Sequence, residues 1–227
     1  IVLARSYEEA MHLYNRYQNN VLGVITDARY PREGIVDPIA GIKLMAEIRK
    51  HDPFVPLILQ SAEVDNRKYI SQYEASFVDK NSKKMDVDLR DIVSDNFGFG
   101  DFVFRNPHTL EEVARVRNLK ELQNIIFHIP TESFLYHVQR NHISRWLYSR
   151  VMFPPAEFLK QITWDSLQDV NGHRQVIFEA IVKYRKMKNR GVVAIFQRDR
   201  FDHYSNFARI GEGSLGGKGR GLAFIDN

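Results

Sequence analysis

The sequence predicts an α/β fold in its first part, a parallel sheet covered on both faces, followed by a mainly helical module. Three observations lead there. Up to about residue 83, short apolar runs rich in β-branched residues alternate with amphipathic helical patterns, as in βαβ units. From about residue 85 that rhythm gives way to longer helical stretches. At the far end glycine concentrates, with six of the 13 glycines between Gly211 and Gly221. The expected division is therefore an α/β region over 1–105, a helical connector over 106–205 and a glycine-rich segment over 206–227.

The elements follow in order. Ile1-Val2-Leu3 is a short strand-like run, and Ser6 with Glu9 forms a capping-box pattern ahead of Ala10, Leu13, Tyr14 and Tyr17 at helical spacing. Val21 to Thr26 predicts a buried strand ending at Asp27. Asp37-Pro38 reads as an N-cap with proline at the first helical position, before Ile42, Met45 and Ile48. Val55 to Gln60 is a second buried strand ending at Ser61, and Asp65 opens a helix carrying Tyr69, Ile70 and Tyr73. Ser76 to Asp79 is a last strand, followed by Lys80. Beyond it, Asn96 to Gly100 reads as a turn and Asp101 to Asn106 as a strand. Thr109 and Glu112 cap a helix to about His128, ended by Pro130, and Thr131 to Arg150 forms a second helix with Phe134, Leu135, Val138, Trp146 and Leu147 as its apolar stripe. Pro154-Pro155 starts a shorter helix, Gln175 to Lys188 makes a fourth, and Val192 to Phe196 is strand-like.

Composition narrows the function classes. Lys and Arg number 32 against 28 Asp and Glu, a net charge of +4, and the basic residues are scattered. This gives no support to a nucleic-acid or membrane-surface role. Cysteine is absent, which excludes disulfides and thiolate metal sites. No apolar run reaches the length of a membrane span and no signal peptide is visible, so a cytoplasmic protein is expected. The first residue, Ile1, and the break after Asn227 lead to the expectation of a piece of a longer protein.

In a parallel α/β sheet, chemistry gathers beyond the carboxyl ends of the strands. Asp27, Ser61 and Lys80 each directly follow a predicted strand and are expected to converge at one sheet edge. A carboxylate there can be a phosphoryl-transfer nucleophile if a divalent cation bridges it to the phosphate and a lysine neutralises a phosphoryl oxygen. A small hydroxyl can hydrogen-bond a further oxygen. Singly, each residue has a plainer reading: an Asp after a strand as a turn or helix cap, Lys80 as a solvated charge, Phe77 as core.

Asp27-Ala28-Arg29-Tyr30-Pro31, Ser61-Ala62 and Ala75-Ser76-Phe77-Val78-Asp79-Lys80 together resemble the receiver family of two-component response regulators. The resemblance covers residues 1 to about 83 and implies a flavodoxin-like parallel sheet with strand order 2-1-3-4-5. It implies that Asp27 is the phosphoacceptor, that Asp27 and the Arg29 main-chain carbonyl help hold Mg²⁺, and that Ser61, Phe77 and Lys80 form the phosphoryl-contact and switch set. A sensor kinase or other phosphodonor is the implied partner. The chain departs from the pattern where Asn81 replaces the proline after the lysine, so that the cis peptide is expected to be absent. The loop from Arg32 to Pro38 is also longer than usual. By the same resemblance the chain begins at the family's second strand, without the central first strand and its acidic pair, so an upstream segment is expected.

The stretch Glu132 to Leu147 is dense in polar residues for a helix. Read as one helix, His137 and Asn141 share a face, as do Arg140 and Ser144, while His137 and His142, five apart, lie on different faces. Zinc is therefore not expected, and polar contacts between packed helices are the plainer reading.

In the glycine-rich segment, Gly211-Glu212-Gly213-Ser214-Leu215-Gly216 matches G-x-G-x-x-G only formally, without the strand-then-helix setting. Gly216-Gly217-Lys218-Gly219-Arg220-Gly221-Leu222-Ala223 resembles the opening of the ATP-binding domain of pyruvate phosphate dikinase and phosphoenolpyruvate synthase. That resemblance, over about 15 residues, implies ATP-phosphate contacts by Gly216, Gly217, Lys218 and Arg220, with ATP bound only in a longer protein alongside downstream ATP-binding and pyruvate-binding domains. Three readings stay open: a phosphorylation switch at Asp27, a receiver-derived interaction module without phosphorylation, and the N-terminal part of an ATP-dependent phosphotransferase that is not catalytic alone.

Overall fold

A computed structural model describes residues 1–164, 169–189, 194, 195, 208, 209, 213, 214 and 216–225. The protein is mixed α/β and divides into two compact units, one of residues 1–102 with 137–156 and one of residues 103–136 with 157–227. The connector expected over 106–205 thus contributes to both.

The first unit is built on a three-stranded parallel sheet in the order β1 (Val24–Asp27), β4 (Leu57–Ser61), β5 (Ser76–Asp79). Asp27 registers with Gln60, and Ser61 with Asp79, so the three strands end together. Alternation along β4 sorts its side chains between two cores. Leu57 and Leu59 pack with Tyr14, Ile42, Met45, Ile48 and Val55 beneath α1 (Tyr7–Tyr17) and α2 (Ala40–His51). Ile58 faces the other way, with Val78 and Phe97, against Leu89, Ile92 and Val93 of α4 (Met85–Asn96). Both faces of β4 are covered, as its apolar residues require, whereas at the edge strand β1, expected to be buried, Ile25 stays exposed.

The start of α1 follows its sequence signal: the Ser6 hydroxyl accepts from the Glu9 N–H at 3.2 Å, and the Glu9 carboxylate accepts from the Arg5 N–H at 2.7 Å. Other boundaries differ. Ile1-Val2-Leu3 is not a strand; it is exposed and joins no ladder, and a three-residue run without a paired neighbour has nothing to hold it extended. Helix α2 begins at Ala40 rather than Pro38, because Asp37 caps from further back, its carboxylate accepting the Ile39 N–H at 3.0 Å. The helix expected after Asp65 is a 3₁₀ turn, Val64–Tyr69, followed by the short α3 (Ile70–Tyr73), which ends at a left-handed Glu74. Helix α4 was not anticipated.

The long loop after Asp27 is a β-hairpin of β2 (Tyr30–Arg32) and β3 (Ile35–Asp37), with Arg32 paired to Ile35. Glu33 (φ 54°) and Gly34 (φ 78°) form its turn, the double positive φ that matches strand twist in a two-residue hairpin.

The second unit corrects the reading after Thr109. Glu112–Val116 is a strand, β7, in a two-stranded sheet with β6 (Phe102–Arg105), not the start of a helix. Glu-Val-Ala-Arg-Val carries β-branched residues, and the helix cap comes later, where the Asn118 side chain accepts from the Glu121 N–H at 3.0 Å to open α5 (Leu119–Ile125). Helix α9 (Val170–Lys188) starts ahead of Gln175 because the Asp169 carboxylate accepts the Gly172 N–H. Its Arg174, Ile177, Ile181 and Tyr184 are buried on one face, and α9 packs against α5. Arg174 donates to the main-chain carbonyls of Ile126 and Ile129 and stacks on Phe134.

The helix expected from Thr131 to Arg150 is two, α6 (Thr131–Gln139) and α7 (His142–Tyr148), separated by Asn141 at φ 57°. The left-handed conformation ends the first helix, and asparagine tolerates it better than most residues. The expected stripe of Phe134, Leu135, Val138, Trp146 and Leu147 is nonetheless buried throughout. The helix after Met152, α8, spans Phe153–Lys160 and contains both prolines. Ala194–Ile195 (β8) pairs in parallel with Ala208–Arg209 (β9); the remainder of the Val192–Phe196 run lies outside the described residues. Gly217–Ile225 is α10. Among the described residues, no helix is long and apolar enough to cross a membrane.

Candidate functional site

The common end of β1, β4 and β5 is where the sequence places its polar constellation. The Lys80 ammonium stands 2.5 Å from Asp27 Oδ1, although β4 separates the strands that carry them. Oδ1 is sealed from solvent and accepts no aligned hydrogen bond, so the contact is an ion pair held by proximity rather than by donor direction. The Lys80 and Asp27 side chains stay 38% and 41% exposed, which leaves the pair reachable from outside.

Main-chain contacts fix the carboxylate from below. The Ala28 N–H donates to the Gln60 carbonyl at 3.0 Å, extending the β1–β4 ladder by one residue. The Gly41 N–H donates to the Ala28 carbonyl at 3.0 Å, and a Cβ on Gly41 would stand 1.9 Å from the Asp27 carbonyl oxygen. Only glycine allows α2 to come this close. The Thr26 hydroxyl lies 3.0 Å from the Asp27 carbonyl oxygen and 3.3 Å from the Tyr30 hydroxyl. Burial pushes the Tyr30 phenol up to about 12, so it is neutral at physiological pH. In the hairpin beyond, Asp37 pairs with Lys43 at 2.7 Å; hydrogen bonds from Lys43 and the Ile39 N–H hold its carboxyl below the usual carboxylate range.

Ser61 reaches the same strand end but is buried at 5% exposure and engaged elsewhere. Its Oγ accepts from the Glu63 N–H at 3.0 Å and from Asn66 Nδ2 at 2.9 Å. Phe77 is half-buried, registered beside Leu59, with the Arg67 guanidinium 5.1 Å above its ring. The Lys80 N–H donates to the Ser61 carbonyl at 3.0 Å. Asn81 follows Lys80 through a trans peptide; its amide donates to the Ala62 carbonyl at 2.8 Å and its N–H to Asp79 Oδ1 at 2.8 Å. Arg29 is exposed. The structure thus brings Asp27 and Lys80 together, holds Ser61 beside them but turned to its own loop, and keeps Phe77 under Arg67. Sequence reasoning missed Gly41, Asn66 and Arg67. Of these only Gly41, a glycine inside a helical pattern, carried a visible signal of close approach.

Among the described residues, no group of three or more His, Asp or Glu side chains is arranged to hold a metal. For the expected Mg²⁺, the strand end supplies Asp27 as its carboxylate, already paired with Lys80. Magnesium held through one carboxylate takes its other ligands from water and phosphoryl oxygens, so the protein's own donor set is thin.

Of the expected nucleotide contacts, Gly216 precedes α10, its carbonyl accepting the Gly219 N–H at 3.0 Å, and Gly217, Lys218 and Arg220 lie in the helix, with Lys218 exposed. Gly211, Glu212 and Leu215 of the formal G-x-G-x-x-G match lie outside the described residues.

His137 and His142, read above as facing apart, meet Nδ1 to Nδ1 at 2.9 Å, with the Phe102 ring edge-on to His137 at 5.1 Å. The break at Asn141 turns α7 back and brings them together. Burial, then the positive charges of Arg145 and Arg140 and the neighbouring His137, hold the His142 imidazole well below its ordinary range.

No family model matches the chain, and neither the curated proteins nor the solved structures include one that matches it.

Proposed function

We propose that the first unit is a receiver-type phosphoacceptor, a flavodoxin-like regulatory region in a phosphoenolpyruvate synthase-like cytoplasmic protein, with Asp27 as the acceptor. The observation that carries this reading is the contact of Lys80 with Asp27 Oδ1 across β4. An ammonium beside a strand-end carboxylate is the arrangement that neutralises an incoming phosphoryl group. A carboxylate oxygen of Asp27 attacks the phosphorus of a phosphodonor such as an acyl phosphate. The bond from phosphorus to the donor oxygen breaks, the leaving carboxylate departs with the electron pair, and Asp27 becomes an acyl phosphate. Lys80 then pairs with a phosphoryl oxygen. Mg²⁺, when bound through Asp27 and the Arg29 main-chain carbonyl, supplies further charge neutralisation.

The competing reading, a docking module that is never phosphorylated, also has support: the Ser61 hydroxyl already accepts two hydrogen bonds from its own loop. Intact-mass measurement of the chain with Mg²⁺ and acetyl phosphate separates the two. A gain of one phosphoryl group that disappears in Asp27→Asn is expected. A folded chain that gains nothing is a docking module. ATP binding through Lys218 is a proposal for a longer protein only.

A further inference from the structure

One six-residue 3₁₀ turn, Val64–Tyr69, grips both Ser61 and Phe77. Asn66, itself only 7% exposed, donates its amide to Ser61 Oγ, and the next residue, Arg67, covers the Phe77 ring. A serine hydroxyl has two acceptor sites and one proton to give. The Glu63 N–H and Asn66 occupy both acceptor sites. The main chain around Ser61 is tied down separately, its carbonyl to the Lys80 N–H and the Ala62 carbonyl to the Asn81 side chain. Movement of the hydroxyl toward Asp27 is therefore a side-chain rotation that releases both the Glu63 N–H and the Asn66 amide, and of the two donors only Asn66 is a buried side chain. A freed, buried amide must find a new partner. The turn that carries it has the weaker hydrogen-bond geometry of a 3₁₀ segment and no side-chain cap. Arg67 is the next residue on the same turn, so a shift of the main chain at Asn66 carries it along.

We propose that Val64–Tyr69 is a latch in which Asn66 is the positioning residue that sets how readily Ser61 turns toward Asp27, while Arg67 passes that movement to Phe77. The latch rests on the phosphoacceptor reading of Asp27. It makes the phosphorylated state compete with a hydrogen bond already present, so weakening that bond speeds phosphorylation.

The test uses the full chain as wild type, Asn66→Ala, the milder Asn66→Ser and Asp27→Asn, each checked for folding by circular dichroism. Phosphate uptake from acetyl phosphate with Mg²⁺ is followed by intact mass. The Phe77 ring resonances, identified against Phe77→Leu, are compared before any phosphodonor is added. A several-fold faster uptake in the Asn66 variants, with displaced Phe77 resonances, is expected. Uptake at an unchanged or lower rate in a folded Asn66 variant overturns the latch and leaves Asp27 as acceptor. Phe77 resonances that do not move overturn the relay through Arg67. No uptake by any folded protein overturns the acceptor reading, and the latch with it.

Discussion

Lys80 pairs with Asp27 across a strand that belongs to neither of them, so the contact reports on the registers of β1, β4 and β5 together. With side chains 38% and 41% exposed, it is weak as a stabilising interaction, worth about 0–1 kcal/mol. Lys80→Met should therefore shift the unfolding free energy by less than about 1 kcal/mol and abolish phosphate uptake at Asp27. Urea unfolding and intact mass on the same sample check both halves. A large stability loss would mark Lys80 as structural.

Gly41 is a harsher position. Because an added Cβ would meet the Asp27 carbonyl oxygen at 1.9 Å, Gly41→Ala must push α2 away from β1. Overpacking of this kind costs about 1–3 kcal/mol or more. A lowered urea midpoint is expected, together with loss of phosphate uptake beyond what the unfolded fraction explains.

Arg174 tests the second unit. Its guanidinium serves two main-chain carbonyls, those of Ile126 and Ile129, while stacking on Phe134. Arg174→Leu keeps an apolar stem but strands both acceptors at about 1–3 kcal/mol each. The loss should be roughly 2–6 kcal/mol, read from denaturant unfolding. A near-neutral result would mean that water replaces the guanidinium.

The His137–His142 contact sets a pH dependence. His142 is held neutral in the fold, principally by burial, whereas in the unfolded chain it titrates near pH 6.5. As pH falls through about 6.5, the unfolded state takes up a proton that the folded state refuses. Stability is thus full above that value and declines below it, until the folded imidazole itself protonates. Unfolding midpoints between about pH 7.5 and 5.5 should fall, and His142→Asn should flatten the slope. Parallel slopes would exclude this pair as the cause.

What was legible in the sequence was the strand ends. Asp27, Ser61 and Lys80 could be placed because short apolar runs in a parallel sheet stop where the polar residues begin. The engagement of the Ser61 hydroxyl by its own loop was not legible, because it depends on Asn66, an ordinary polar residue in the first turn of the helix expected after Asp65. Glu112–Val116 read as helix because five residues carry too little periodicity to separate strand from helix, and Thr109 with Glu112 imitates a cap. The two histidines were assigned to opposite faces by counting through Asn141 as if it were helical. One left-handed residue reversed that geometry.

The contact of Gly41 with the Asp27 carbonyl also bears on how relatives of this chain could be found. An aspartate at a strand end is common and discriminates poorly. A missing side chain at the start of the next helix is imposed by the backbone itself, whatever ligand or donor a lineage acquires. A search profile weighting glycine at the helix entry that follows the strand end should trace this unit even where the aspartate itself is replaced.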